Sequence, residues 1–305
     1  MTDFALKIDD AAIDAAVAPL VERRFEPGDR EWRAIVDEHA ARQRRMRRRR
    51  RLVGWLPWLH RTQTSINYNY SQQWNTIPPE VDLAHGGVVV PLSWRDRGYQ
   101  ARATANKRVR LLFLMEAIAQ LKPRTILEVG AGNGVNLCLL AARFPEIHIT
   151  GLELTEGGVT TARRLTSVAA IDPAICAYSP EPLVDTSPFD RIRVVRGNAA
   201  KLPFADASFD LVITVLALEQ MEEIRSKALA EIRRVARRHT VMVEPFYEWN
   251  ASGAQRDFVI ANDYFAGRIA DLPRFGLEPI LATDDMPSKL TSRAGLVVSR
   301  VAPAR

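Results

Sequence analysis

Apolar positions follow two rhythms along this chain. From residue 125 to 301, short β-branched and aliphatic runs alternate with longer stretches of helical period. The runs predict strands near 125–129, 148–153, 191–196, 209–215, 239–244, 277–283 and 295–301. The longer stretches predict helices near 134–144, 157–169, 221–236 and 255–271. Such alternation predicts an α/β domain with a mostly parallel sheet covered on both faces. A longer helix, Ala101 to Leu121, leads into the first strand and stops at Lys122-Pro123.

The first hundred residues lack this order. Residues 3–24 read as a weakly amphipathic helix, broken by Glu26-Pro27-Gly28-Asp29. A second helix runs from about residue 30 into an arginine block, and Gly54 and Pro57 end it. Residues 60–98 hold no sustained period and read as irregular cover, a lid over whatever lies below. The division is therefore a helical and irregular extension, 1–100, and an α/β domain, 101–305. One insert, 171–190, carries four prolines and is given a surface or oligomer role away from the substrate mouth.

The most informative run is Thr125-Ile126-Leu127-Glu128-Val129-Gly130-Ala131-Gly132-Asn133-Gly134. A strand reaches a carboxylate and breaks into alternating glycines, and a helix-forming run follows. The helix start presents unpaired N–H groups. Dinucleotide sites favour G-x-G-x-x-G, but this spacing is G-x-G-x-G. A carboxylate two residues before the turn repels a pyrophosphate and attracts an ammonium. S-adenosylmethionine carries an ammonium and a sulfonium and no phosphate, so it suits the turn better than NAD. Glu153 ends the second strand about 20 residues on, where an acid accepts ribose hydroxyls. Asn198 and Ala199, after the third strand, stand where an amide oxygen and a backbone N–H read adenine.

These pieces, with Gly197 to Phe204 and Ser208 to Thr214, resemble the class I S-adenosylmethionine-dependent methyltransferases of the type 11 family over residues 125–245. The resemblance implies a Rossmann-like sheet of seven strands whose last two form an antiparallel hairpin. It implies S-adenosylmethionine as cofactor, held by Glu128, Gly130, Ala131, Gly132, Asn133, Gly134, Glu153, Leu154, Asn198, Ala199, Thr214 and Leu216. Two positions depart from the family. Asn198 stands where an Asp is usual, and Leu218-Glu219-Gln220 replaces a Leu-Glu-His run, removing one base.

Charge and cysteines narrow the partners. The net charge is +6, and the eight arginines between Arg42 and Arg51 supply +8, so the remainder is 6 − 8 = −2. The basic character is local. Arginines fall on every helical face there, which reads first as a solvated helix end. Contact with an anionic membrane surface, beside Trp55 and Trp58, ranks second, and nucleic acid last. Cys138 and Cys176 form no metal spacing and no disulfide framework, so no metal is expected. Cys138 reads as a buried apolar residue. With no signal pattern and no spanning apolar run, a cytoplasmic protein is expected, open to homo-oligomerisation.

For chemistry, Glu219 and Glu244 are the candidate bases at the fourth and fifth strand exits. Their bland alternatives are helix capping and a bond to loop backbone. His60 and His85 could supply an imidazole from the cover. Tyr68, Tyr70 and Trp74 are candidate lid residues, because aromatic faces attract a cation. Trp94, Arg95, Arg97 and Tyr99 form a candidate cluster for an acidic acceptor, and Tyr247 a candidate wall beside Trp249. The expected reaction is methyl transfer to oxygen, nitrogen or carbon of a small or carrier-linked metabolite. A non-catalytic S-adenosylmethionine binder and an NAD-dependent oxidoreductase are the alternatives.

Overall fold

The structure is a computed structural model that describes residues 4–53 and 77–302. Its elements run α1 (Asp10–Val17), β1 (Val21–Phe25), α2 (Arg30–Val53), α3 (Pro79–His85), β2 (Val89–Trp94), β3 (Arg97–Arg102) and α4 (Ala103–Leu121). Then follow β4 (Thr125–Val129), α5 (Val135–Arg143), β5 (His148–Glu153), α6 (Glu156–Leu165), α7 (Pro173–Tyr178) and β6 (Ile192–Arg196). The chain closes with β7 (Phe209–Val215), α8 (Arg225–Val235), β8 (Ala236–Glu244), α9 (Gly253–Ala261), β9 (Leu277–Thr283), β10 (Ser288–Lys289) and β11 (Gly295–Val301).

The main sheet has seven strands in the order β6-β5-β4-β7-β8-β11-β9. β6, β5, β4, β7 and β8 pair in parallel, and β11 runs antiparallel to both of its neighbours. This is the Rossmann-like arrangement expected, with the reversal at its C-terminal edge. Period-two alternation sends Ile126, Ile149, Ile213 and Val241 to one face and Leu127, Leu152, Val212 and Met242 to the other. Each such fully buried side chain contributes roughly 1.5–3 kcal/mol. The order reverses between β4 and β7, so ligands sit beyond the carboxyl ends there.

The N-terminal part differs from its expectation. The first helix ends at Val17, because Pro19 tightens the chain into a short 3-10 turn and Val21–Phe25 becomes a strand. Residues 89–102 are not irregular but a hairpin, β2 and β3, paired from Val89↔Arg102 to Trp94↔Arg97. A second sheet results, in the order β1-β3-β2-β10. Its last strand comes from between β9 and β11, so the sheet straddles the expected boundary at residue 100.

Two further expectations change. The arginine helix α2 lies against α9, where Arg47 Nη1 meets Asp257 Oδ1 at 2.6 Å and Arg50 Nη2 meets Asp263 Oδ2 at 3.6 Å. Gln43 is buried in this contact, so one face of the block is docked. Arg42, Arg44, Arg45, Arg48, Arg49 and Arg51 remain exposed. The helix expected over 255–271 stops at Ala261, where Asp263 turns left-handed at φ +49°. Among the described residues no helix is long and apolar enough to cross a membrane.

Candidate functional site

A cavity of about 620 Å³ opens at the carboxyl ends of β4, β5 and β7. Its floor is the glycine turn. Gly130, Gly132 and Gly134 have φ of +79°, +54° and +82°. At Gly130 a Cβ would stand 2.6 Å from the Ala217 Cβ, so the turn passes the β7 loop only without a side chain. The N–H groups of Gly130 and Ala131 both donate to the Leu152 carbonyl, at 2.8 and 3.0 Å, tying the turn to β5.

Glu153 is the hub of the β5 end. Its Oε2 accepts the Gly132 N–H at 3.0 Å, and its Oε1 accepts the Thr155 N–H at 2.8 Å and the Thr155 hydroxyl at 2.6 Å. A carboxylate has about four lone-pair sites, so capacity remains for ligand hydroxyls. Glu128 lies deeper, 1% exposed. Its Oε1 accepts from Asn136 Nδ2 at 2.8 Å, while its Oε2 is buried with no partner among the described residues. Burial pushes its carboxyl up to about 8.

Gly130, Ala131, Gly132, Asn133, Leu154, Asn198, Ala199 and Leu216 line the same cavity as Glu128 and Glu153. Gly134 closes the turn as the N-terminal cap of α5. Asn198 Oδ1 already accepts the Ala200 N–H at 2.8 Å, which leaves it one lone pair toward the cavity. Thr214 does not join the lining, because its side chain is fully buried inside the sheet.

The two candidate bases separate. Glu244 is 0% exposed and lies outside the lining. Its Oε1 accepts the N–H groups of Ala217 and Leu218, both at 3.0 Å, and its Oε2 that of Glu219 at 3.3 Å. It therefore anchors the loop after β7. Burial, then the neighbouring Glu219, pushes its carboxyl up to about 8. Glu219 faces the cavity beside Gln220. It accepts from Gln220 Nε2 at 2.6 Å and from the Tyr264 hydroxyl.

The acceptor cluster expected at 94–99 is structural instead. Trp94 and Tyr99 are buried in the small sheet, and Trp94 Nε1 donates to Asp285 Oδ1 at 2.8 Å. Arg95 pairs with Asp285 at 2.6 Å and Asp10 at 2.8 Å, and Arg97 with Asp14 at 3.1 Å. Tyr247 stacks under Arg268, 3.9 Å from its ring centroid, away from the cavity. His85 is exposed at the end of α3 and does not line this cavity. Tyr68, Tyr70, Trp74, Trp55, Trp58 and His60 lie outside the described residues.

Several lining residues escaped sequence reasoning. Asp82 and Leu83 come from α3, and Lys107, Arg110, Leu111 and Leu114 from α4. Tyr178 reaches in from the proline-rich insert, its hydroxyl donating to the Thr104 carbonyl at 3.0 Å. The insert is thus part of the cavity wall, against its expected remote role. Asn106 and Arg110, four apart and so on one side of α4, were the available signal.

Comparison with known proteins bears on this geometry. Residues 127–243 match the model of a family described as methyltransferase domain. The chain is 29% identical over 150 residues to a fatty-acid O-methyltransferase of Mycolicibacterium smegmatis, covering 49% of this chain and 40% of that protein. It is 33% identical over 139 residues to a malonyl-[acyl-carrier protein] O-methyltransferase of Geobacter sulfurreducens, covering 45% and 44%. The chain thus spans less than half the length of these curated relatives. Among solved structures, the [4+2]-cyclase SpnF superposes with a TM-score of 0.50 at 14% identity, covering 77% of this chain and 96% of that one. That likeness concerns the fold, and a fold alone does not name a reaction.

Proposed function

We propose that this chain, whose residues 127–243 match a family described as methyltransferase domain, transfers a methyl group from S-adenosylmethionine to a small or carrier-linked metabolite. Oxygen, nitrogen and carbon acceptors all fit the reading. The names of the two O-methyltransferase relatives favour oxygen. The observation that carries the proposal is the paired carboxylates at the cavity floor. Glu153 is oriented by the Gly132 and Thr155 donors, and Glu128 holds a buried oxygen with no partner among the described residues.

That orphan oxygen fits an ammonium, and the glycine turn leaves room for backbone contact. Glu128 and the Gly130–Gly134 turn would hold the methionine end, Glu153 the ribose hydroxyls, and Asn198 with Ala199 the adenine edge. When bound there, S-adenosylmethionine supplies an electrophilic methyl on a sulfonium. The protein's task is then alignment of the acceptor, worth several orders of magnitude in rate. Glu219, the one acid of the β7 exit that faces the cavity, is the candidate proton acceptor for a protonated nucleophile. Both cysteines are free, which suits a cytoplasmic setting.

The exposed arginines of α2, with Leu52 at 77% exposure beside them, suit weak contact with an anionic membrane surface. The test of the main reading is methyl transfer from tritium-labelled S-adenosylmethionine into a broad acceptor panel. Incorporation supports the enzyme. Tight cofactor binding with no incorporation into any acceptor favours a non-catalytic binder, the reading that Gln220 in place of a His keeps open.

A further inference from the structure

We infer that Arg110 anchors a carboxylate on the methyl acceptor, an inference that rests on the methyltransferase reading and extends it to the acceptor's chemistry. Around Arg110, helix α4 is packed within the core, with Val109, Leu112, Phe113 and Met115 all at 4% exposure or less, while Lys107 is exposed and Arg108 and Glu116 are half-buried. Arg110 sits in this company at 7% exposure and lines the cavity. Its Nη1 donates to Asn106 Oδ1, whose own Nδ2 donates to the Pro287 carbonyl. Its Nε is buried with no hydrogen-bond partner among the described residues. Among the described residues, no carboxylate lies in ion-pair contact with it.

A guanidinium cannot shed its proton in a protein. Burying it without a countercharge is strongly unfavourable. Asn106 is a neutral partner and fixes the fork rather than neutralising it. Glu219 shares the cavity and attracts Arg110 from a distance, but its oxygens are engaged by Gln220 and Tyr264. An anion brought in by the acceptor supplies the missing countercharge, and a carboxylate matches the planar fork in two-point fashion.

The surroundings define the rest of the ligand. Leu83, Leu111 and Leu114 make the adjoining wall apolar. Lys107 lines the same wall and is already matched by Asp82 at 3.6 Å. The acceptor is therefore an acid with an apolar body. A free acyl acid and a carrier-linked acyl chain with a distal carboxylate both present that chemistry.

The experiment is calorimetry at saturating S-adenosylhomocysteine with three probes: octanoate, the pantetheine half-thioester of adipate, and octanol. Wild type binds at least one acid more than about tenfold tighter than octanol, and the better acid identifies the source. Arg110→Met removes that preference and leaves affinity for octanol and for S-adenosylhomocysteine unchanged. Should Arg110→Met fail to fold by circular dichroism, Arg110→Lys decides, with the preference cut about fivefold or more by loss of the fork. No preference in wild type overturns the inference, as does an undiminished preference in the folded variant. Loss of S-adenosylhomocysteine binding by wild type would instead sink the methyltransferase reading.

Discussion

Gly132 donates its backbone N–H to Glu153 Oε2 at 3.0 Å, across from the end of β4 to the end of β5. The glycine turn and the acidic strand tip are thus one hydrogen-bonded unit. Preorganisation of this kind lowers the ordering cost of binding.

Glu153→Ala removes both the orienting contact and the ribose acceptor. We expect S-adenosylhomocysteine affinity to fall by about 1–3 kcal/mol, the loss typical of hydrogen bonds to a charged group. Isothermal calorimetry reads this directly. Equal affinity in the variant would remove Glu153 from the site.

The turn itself is equally demanding. Gly132 has φ +54°, where a β-branched residue is a steric outlier. Gly132→Val should abolish cofactor binding while the melting transition remains cooperative. Gly130→Ala should loosen the β7 loop, because its Cβ would meet Ala217 at 2.6 Å. Cofactor affinity retained at the wild-type level in both variants would contradict the described turn.

Glu128 makes binding depend on pH. Burial raises its carboxyl from an ordinary 4.5 to about 8, so the folded protein keeps a proton that the unfolded chain has lost. Stability from this group falls as pH rises from 4.5 to about 8 and is level above. An ammonium ligand favours the ionised form and releases the proton on binding. S-adenosylhomocysteine affinity should therefore rise toward about pH 8, by up to about tenfold per pH unit. Glu128→Gln should flatten that profile. Glu244 contributes a stability trend of the same sign that this variant leaves in place. A pH-independent affinity in wild type would refute the assigned role.

Glu244 is placed for architecture. Three backbone N–H groups of residues 217–219 converge on it. Glu244→Ala leaves them buried without an acceptor and should cost about 3 kcal/mol or more. A urea titration measures it. Glu219→Gln, by contrast, should change the unfolding free energy by no more than about 1 kcal/mol and act on turnover. An unchanged midpoint in Glu244→Ala would return that residue to the list of candidate bases.

Legibility from sequence followed the strength of local signals. The strands of the main sheet declared themselves through dense β-branched runs, and the strand 125–129 and its glycine turn lie where the pattern placed them. The hairpin β2–β3 did not, because Pro91 argues against a strand and Arg95-Asp96 lacks the glycine usual in tight hairpins. Pro91 is tolerated where β10 covers only Leu92 and Ser93. Alternation across that hairpin buries Trp94 and Tyr99, and without the hairpin their residue types alone point to a ligand contact. Arg110 was missed for a different reason. Lys107, Arg108 and Glu116 give the same helix several charges, and no local pattern shows which of them is buried. The docking of Arg47 on Asp257 depends on a partner 210 residues away, which no local pattern encodes.

The most direct measurement is a calorimetric titration of folded wild-type protein with S-adenosylhomocysteine, with NAD as the control. The account predicts saturable one-to-one heat with the first ligand, lost in Gly132→Val, and none with the second. Heat from NAD alone, or no heat from either, would contradict it.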